Sequence, residues 1–329
     1  MKPRVLLTTL TLCISFCFVA LQSTACPTPS QAPDEQAKPK QKIGTIEDFN
    51  VAIAKNPNDT TAYFYRANLR AREDNILGAL EDLNKAITIF PDYVEALYYR
   101  GQLRTDLGDI EGAIQDYSRV VELNPKYSTA YADLAFLKDE SGDSEGALAD
   151  YCKAIELDST DVITYHNRAI LKAKLDDLQG AIDDMNRIIE IDPNSTNAYY
   201  YRGTFKTYAG DIEGAIADFN KTIELDPDNS KPYSNRALLK EQSGDIEGAI
   251  EDYAKAIELN PNNFIAYRNR SMLRYETGDN VGALEDINQA ILLRPDDAEA
   301  YIIRSYIKEE AGDHAGAKQD VDKAHELGQ

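Results

Sequence analysis

Pairs of cations four residues apart recur along this chain, among them Arg66 and Arg70, Arg100 and Arg104, Arg202 and Lys206, and Arg236 and Lys240. Twelve residues after the second cation of each pair stands an aspartate: Asp82, Asp116, Asp218 and Asp252. Residues four apart share one face of a helix. Two cations so placed can do one of two things: hold an external anion, or meet a carboxylate of the same chain. Acid accompanies base in unit after unit, so the pattern reads as a repeated, partly buried ion-pair network between packed helices. An anion-binding ladder is the second reading. Such a network gives register more than stability, because desolvation offsets much of the attraction.

Other reactive residues offer less. His166, His314 and His325 fall at unrelated places, and none has a Cys or Ser at nucleophile spacing. Cys152 stands alone in a helical stretch, where a thiol is more often inert than reactive. The acidic run Asp139-Glu140-Ser141-Gly142-Asp143 lacks the D-x-[DN]-x-[DN]-G order of a calcium loop. No enzyme chemistry, metal or cofactor is expected. The 35 Lys and Arg against 56 Asp and Glu give a net charge of −21, which argues against nucleic-acid binding. At 43% hydrophobic residues the chain can bury a core.

The elements that position these residues follow from a period. Pro57, Pro91, Pro125, Pro193, Pro227, Pro261 and Pro295 are spaced by 34 or twice 34, with Ser159 in the gap. Gly78, Gly112, Gly146, Gly180, Gly214, Gly248, Gly282 and Gly316 keep the same interval. With the proline as position 32, eight units begin at Thr60: 60–93, 94–127, 128–161, 162–195, 196–229, 230–263, 264–297 and 298–329. A half-unit, 44–59, precedes them. Each unit reads as two helices. The first runs from position 2 or 3 to a Gly-Asp turn such as Gly108-Asp109, where glycine permits the left-handed conformation and Asp caps the next helix. The second, as in Glu247 to Leu259, carries apolar residues at three- and four-residue spacing and stops before the proline. The glycine at position 19 lies in the first turn of helix two, where it costs up to ~1 kcal/mol against alanine. Either it permits a close approach or duplication copied it.

On these residues the chain resembles the tetratricopeptide repeat (TPR) family, whose signature runs W-x2-L-G-x2-Y, A-x3-F, A and P over 34 residues. The Trp position holds Tyr63, Tyr131, Tyr165, Tyr199, Tyr233, Tyr267 and Tyr301, with Leu97 the exception. The first Ala recurs from Ala79 through Ala317. The signature Leu is Arg in seven of eight units, and the signature Tyr is always basic. The resemblance implies an all-α, right-handed α-solenoid and a protein-binding function. It further implies that positions 2, 5, 6, 9, 12 and 13 of the first helices line a concave groove. The candidate partner-binding residues are then Phe64, Tyr65, Tyr98, Tyr99, His166, Asn167, Tyr200, Tyr201, Asn235, Arg268 and Asn269. The six groove positions hold ten acids and four bases, which mildly favours a basic peptide or helix as partner. The family's clamp for chaperone-tail carboxylates needs Lys at position 5, which no unit has. In the last unit Lys318 and His325 replace aliphatic residues, as a polar end to the array requires.

The N-terminus reads as a processing segment. Residues 1–25 carry Lys2 and Arg4, then an uncharged run from Val5 to Leu21, then Ser23-Thr24-Ala25. Cys26 after these small residues resembles a bacterial lipobox, with Ser23 where Leu is usual, and so is expected to be lipidated; simple secretion is the alternative. Residues 26–43, rich in Pro and Gln, read as a flexible tether. The expected protein is an exported, membrane-tethered binding scaffold of the cell envelope. The alternative is a spacer or self-associating assembly component whose groove stays empty.

Overall fold

Aspartate at the end of each Gly-Asp turn starts the second helix of its unit. Asp109, Asp143, Asp211, Asp245, Asp279 and Asp313 each accept a hydrogen bond from the backbone N–H of the glycine three residues on, as does Asp177, which follows Asp176 rather than a glycine. Asn75 does the same for Gly78. These bonds satisfy donors that a helix start leaves unpaired. At the position-19 glycine a methyl group on Gly112 or Gly214 would meet the capping carboxylate and require that side chain to shift.

The computed structural model describes residues 44–328 and contains α-helices only among them. A single helix, α1 (Ile46–Lys55), corresponds to the half-unit. The first helices of the eight units are α2 (Thr60–Arg72), α4 (Val94–Asp106), α6 (Ser128–Glu140), α8 (Val162–Lys174), α10 (Thr196–Tyr208), α12 (Ser230–Gln242), α14 (Phe264–Thr277) and α16 (Ala298–Glu310). The second helices are α3 (Ile76–Ile89), α5 (Ile110–Leu123), α7 (Ser144–Leu157), α9 (Leu178–Ile191), α11 (Ile212–Leu225), α13 (Ile246–Leu259), α15 (Asn280–Leu293) and α17 (His314–Leu327). Helix one starts at position 1, a residue or two earlier than the pattern suggests. Asp59, Asp161, Asn229, Asn263 and Asp297 supply caps just before it. The signal peptide, Cys26 and the tether lie outside the described residues.

Each helix packs on the one before and the one after. The first helices of successive units also meet directly, α6 with α8, α10 with α12 and α14 with α16. That puts the even-numbered helices on the inner, more crowded side of the solenoid. Between the two helix layers lies a core continuous from unit to unit: Tyr165, Ala169, Ala181 and Met185 of one unit pack with Ala198 and Phe205 of the next. Lys318 and His325 are exposed on α17, where other units use aliphatic residues. The turns before helix two are left-handed at Gly108, Gly142, Gly210, Gly244, Gly278 and Gly312. Asp74 and Asp176 hold the same turn at φ 62° and 66° in the two units without glycine, at a cost of about 1 kcal/mol each.

The cation pairs close on their aspartates. Arg100 Nη2 lies 2.5 Å from Asp116 and Arg104 Nη1 2.8 Å from it. Arg202 and Lys206 hold Asp218 at 2.5 and 2.9 Å. The same fork recurs at Asp82, Asp184, Asp252, Asp286 and Asp320. Burial alone would raise the Asp320 carboxyl, but hydrogen bonds from Arg304 and Lys308 outweigh it and hold the group below its ordinary value. Five of the seven Arg also reach back to an asparagine of the preceding unit: Arg66 to Asn50, Arg100 to Asn84, Arg202 to Asn186, Arg236 to Asn220 and Arg304 to Asn288, at 2.5–2.9 Å; Arg270 finds Ala254 there instead. Cys152 of the third unit takes the asparagine's place and receives Arg168 of the fourth at 3.3 Å. The tyrosine at position 4 completes the arrangement, as where Arg202 lies 5.3 Å over the ring of Tyr199. In the third unit Leu134 replaces the Arg, and Lys138 holds Asp150 alone at 2.6 Å.

Replacing Asp218 with Ala would leave two cations without their buried counter-ion. That substitution is expected to cost about 3–5 kcal/mol. Asn186→Ala removes only the reach-back bond and is expected to cost about 1 kcal/mol. Urea-denaturation midpoints of the two variants check the ranking.

Candidate functional site

Because the cation face of each first helix is engaged with second helices, its opposite face is left on the inner surface. The candidate residues lie there, and the geometry sorts them. Contacts run diagonally, from position 5 of one unit to position 6 of the next. The Tyr98 hydroxyl donates to Asp133 at 2.7 Å. The Asn235 amide donates to the Tyr200 hydroxyl at 3.4 Å. His166 meets Tyr201 edge to face at 4.7 Å, and Phe64 meets Tyr99 at 6.3 Å.

Several of these groups are therefore committed within the chain. Tyr98 also packs on Tyr117 and Tyr127, and Tyr200 on Phe219 and Tyr201. Burial pushes both hydroxyls above their ordinary values. Asn269 donates to the Tyr253 hydroxyl at 3.1 Å. Arg268 is held by Asp297 at 3.1 Å and Glu299 at 2.7 Å. Two candidates remain open: Tyr65, which is 46% exposed and stacks one face on Phe49, and Asn167, whose side chain makes no hydrogen bond among the described residues. Burial lowers the His166 imidazole below its ordinary value.

What positions 5 and 6 alone do not reveal is the apolar character of the rest of the face. Thirteen large apolar side chains are exposed among the described residues. Six of them occupy the inner positions: Tyr65, Phe136, Ile163, Tyr208, Ile265 and Tyr306. That is nearly half on six positions of a 34-residue unit, so the inner face is enriched in exposed apolar surface. An open cavity of about 220 Å³ lies there, lined by Val162, Ile163, His166, Ile188, Ser195, Asn197 and Ala198. Its mixture of aliphatic wall and a few polar groups suits a side chain entering from outside.

Two inner carboxylates stand out electrostatically. Burial, and then the charge of Glu276, push the Glu241 carboxyl up to about 7. Burial, opposed by the Tyr98 hydrogen bond and aided by Asp161, pushes Asp133 up to about 6. Among the described residues no group of three or more His, Cys, Asp or Glu could hold a metal ion, and no helix is long and apolar enough to cross a membrane.

Tetratricopeptide-repeat family models match residues 94–127 and 230–263, and residues 128–161, 163–195 and 196–229, which together make up more than half of the chain. Among curated proteins none matches. The C-terminal part of a TPR repeat-containing protein from Cytophaga hutchinsonii superposes with a TM-score of 0.64 at 20% identity, covering 72% of this chain and 97% of that one. A TPR protein from Parabacteroides merdae gives 0.55 at 23% identity, covering 72% and 93%. YrrB, described as a TPR protein with an unusual peptide-binding site, gives 0.53 at 22% identity, covering 57% and 97%. These likenesses are of fold. That fold is a protein-interaction scaffold and is generally non-catalytic.

The inner carboxylates have a consequence in solution. The folded state keeps a proton on Glu241 that the unfolded chain releases near the ordinary value of 4.5. Native protein therefore binds more protons between pH 4.5 and about 7, and this contribution to stability falls as pH rises through that window. Glu241→Gln is expected to flatten this part of the profile and to raise the melting temperature relative to the parent at pH 8. Melting temperatures of both proteins from pH 5 to 8 test it.

Proposed function

Because the chain belongs to the tetratricopeptide repeat family, we propose that it is a non-catalytic interaction scaffold of the cell envelope that holds a peptide or helix of its partner along the inner face. The observation that carries this reading is the concentration of exposed apolar side chains on inner positions. Water-exposed Ile163, Phe136, Tyr208 and Ile265 gain by being covered, and rigid aromatic edges cost little conformational entropy when they bind. The cavity beside Ile163 and His166 is the natural seat for an apolar anchor of the partner. Tyr98 and Tyr200, tied to Asp133 and Asn235, serve to hold the walls. The acidic inner face favours a basic partner. Export, and a lipid anchor at Cys26 followed by a flexible tether, complete the proposal and rest on the N-terminal sequence. YrrB, a TPR protein of the same fold, is described as having a peptide-binding site.

Photo-crosslinking in intact cells tests it, with the probe at Tyr65, Ile163 or Asn235 and at the exposed helix-two residue Glu111 as control. A discrete partner trapped only from the inner positions, and lost on Ile163→Asp, is the expected result. Crosslinks to a second copy, or none from the inner face, would move the protein to a spacer or self-assembling role. Fractionation of the same cells reads the anchor: Cys26→Ser is expected to release the membrane-bound pool.

A further inference from the structure

The inner face carries a second diagonal, from position 12 of one unit to position 13 of the next. Between the third and fourth units it joins Asp139 to Lys174, 3.0 Å apart, with Asp139 largely buried beneath the contact. Between the sixth and seventh units the same register pairs Glu241 on α12 with Glu276 on α14, near enough for the charge of Glu276 to act on the Glu241 carboxyl. Here both members are acids, and their charges act on each other. Among the described residues neither takes part in an ion pair, and Arg268, the cation nearby on α14, is already held by Asp297 and Glu299. The Tyr253 hydroxyl is hydrogen-bonded to Glu241 and supplies no charge. One turn before the two carboxylates, on the same helix faces, stand the half-buried Leu238 and Met272.

We propose that a lysine or arginine side chain of the partner docks between Glu241 and Glu276, its methylene stem lying over Leu238 and Met272. The proposal rests on the inner-face reading above and names the chemistry of one contact within it. Two observations independent of each other carry it. An equivalent position in the array has its cation, supplied by Lys174 of the chain itself. The sixth and seventh units pair carboxylate with carboxylate instead, over an apolar floor, where a long basic side chain can cover aliphatic surface while its head meets charge. Like charges left facing each other are unfavourable, so an incoming cation both relieves the repulsion and forms two ion pairs. Binding at this point then expels the proton that Glu241 retains near neutral pH.

The probe is a fluorescein-labelled decapeptide of alternating leucine and arginine, paired with a leucine–citrulline version of the same length that lacks the charge. Fluorescence anisotropy with the full array is expected to show binding of the arginine peptide, weakened tenfold or more in the Glu241→Gln/Glu276→Gln double variant. Removing two exposed helix-two acids, Glu111→Gln/Glu145→Gln, is expected to leave it within twofold. Equal loss from both double variants would show attraction by net charge alone, and equal affinity for the citrulline peptide would show that the side-chain charge plays no part; either result overturns the proposal. An unaffected Glu241→Gln/Glu276→Gln variant whose binding still falls with Ile163→Asp would sink the cation contact and leave the inner-face reading standing. Insensitivity to Ile163→Asp as well would remove both. Glu276→Lys gives the check that misfolding cannot imitate. It should recreate the Asp139–Lys174 arrangement, raising the melting temperature while abolishing peptide binding; a raised melting temperature with binding intact counts against the proposal.

Discussion

One buried carboxylate per unit, at position 23, governs the rest of this structure. In seven of the eight units its two oxygens are gripped by cations at positions 7 and 11 of the neighbouring helix, and the aspartates are 2–5% exposed in these units. A family pattern that places Leu and Tyr at those positions would supply dispersion without direction. The guanidinium supplies direction. Its planar fork matches a carboxylate, and its remaining nitrogen reaches back to an asparagine of the preceding unit. The Arg stands sixteen residues from both partners, Asn186 behind and Asp218 ahead of Arg202. A first helix with both partners is thus fixed in rotation against two second helices at once, as in the first, second, fifth, sixth and eighth units. The gain lies chiefly in uniqueness of register, since buried ion pairs often break even against well-packed apolar groups.

That division of labour frees the other face. Position 23 is Asp in all eight units, whereas position 5 alone runs through Phe, Tyr, Ala, His, Ser, Arg and Ile. A rigid, repeated back and a varied front are what a one-dimensional array needs in order to present a specific surface, because each unit contacts only its neighbours. The third unit shows the limits of variation. There Leu134 takes the Arg's place and is buried against Tyr117, so the array substitutes apolar packing for the fork and keeps the fold.

Much of this was legible in the sequence because duplication wrote it at one interval. The 34-residue spacing of Pro and Gly located the helix pairs, and cations with aspartates in matching columns located the fork. Other features escaped for a geometric reason. The inner contacts run at 35 residues, since a neighbour on a curved stack is met one position further along: Tyr98 with Asp133, His166 with Tyr201, Asp139 with Lys174. Reading columns at 34 cannot show which inner groups satisfy each other, so Tyr98 and Tyr200 looked freer than they are; Arg268 and Asn269 are tied at other spacings again, to Asp297 and to Tyr253. The reach-back asparagine was visible as a column, Asn50, Asn84, Asn186, Asn220 and Asn288, but its partner sits on the next unit and nothing in the column names it.

The off-period contacts also bear on how such a face recognises anything. A tyrosine whose hydroxyl is already bonded to a neighbouring carboxylate or amide has its rotamer set before a partner arrives, which lowers the ordering cost of binding. It has at the same time no polar tip left to offer. In the proposed binding mode specificity falls to groups the diagonals leave unsatisfied: the exposed edges of Ile163, Phe136 and Ile265, the amide of Asn167, and Glu241 with Glu276. A duplicated array begins with every unit alike, so a distinctive inner face can arise only by breaking pairs that duplication would have kept. Where Asp139 meets Lys174 the diagonal is closed; where Glu241 faces Glu276 it is open, and an open pair on a preorganised wall is the place proposed for the partner's cation.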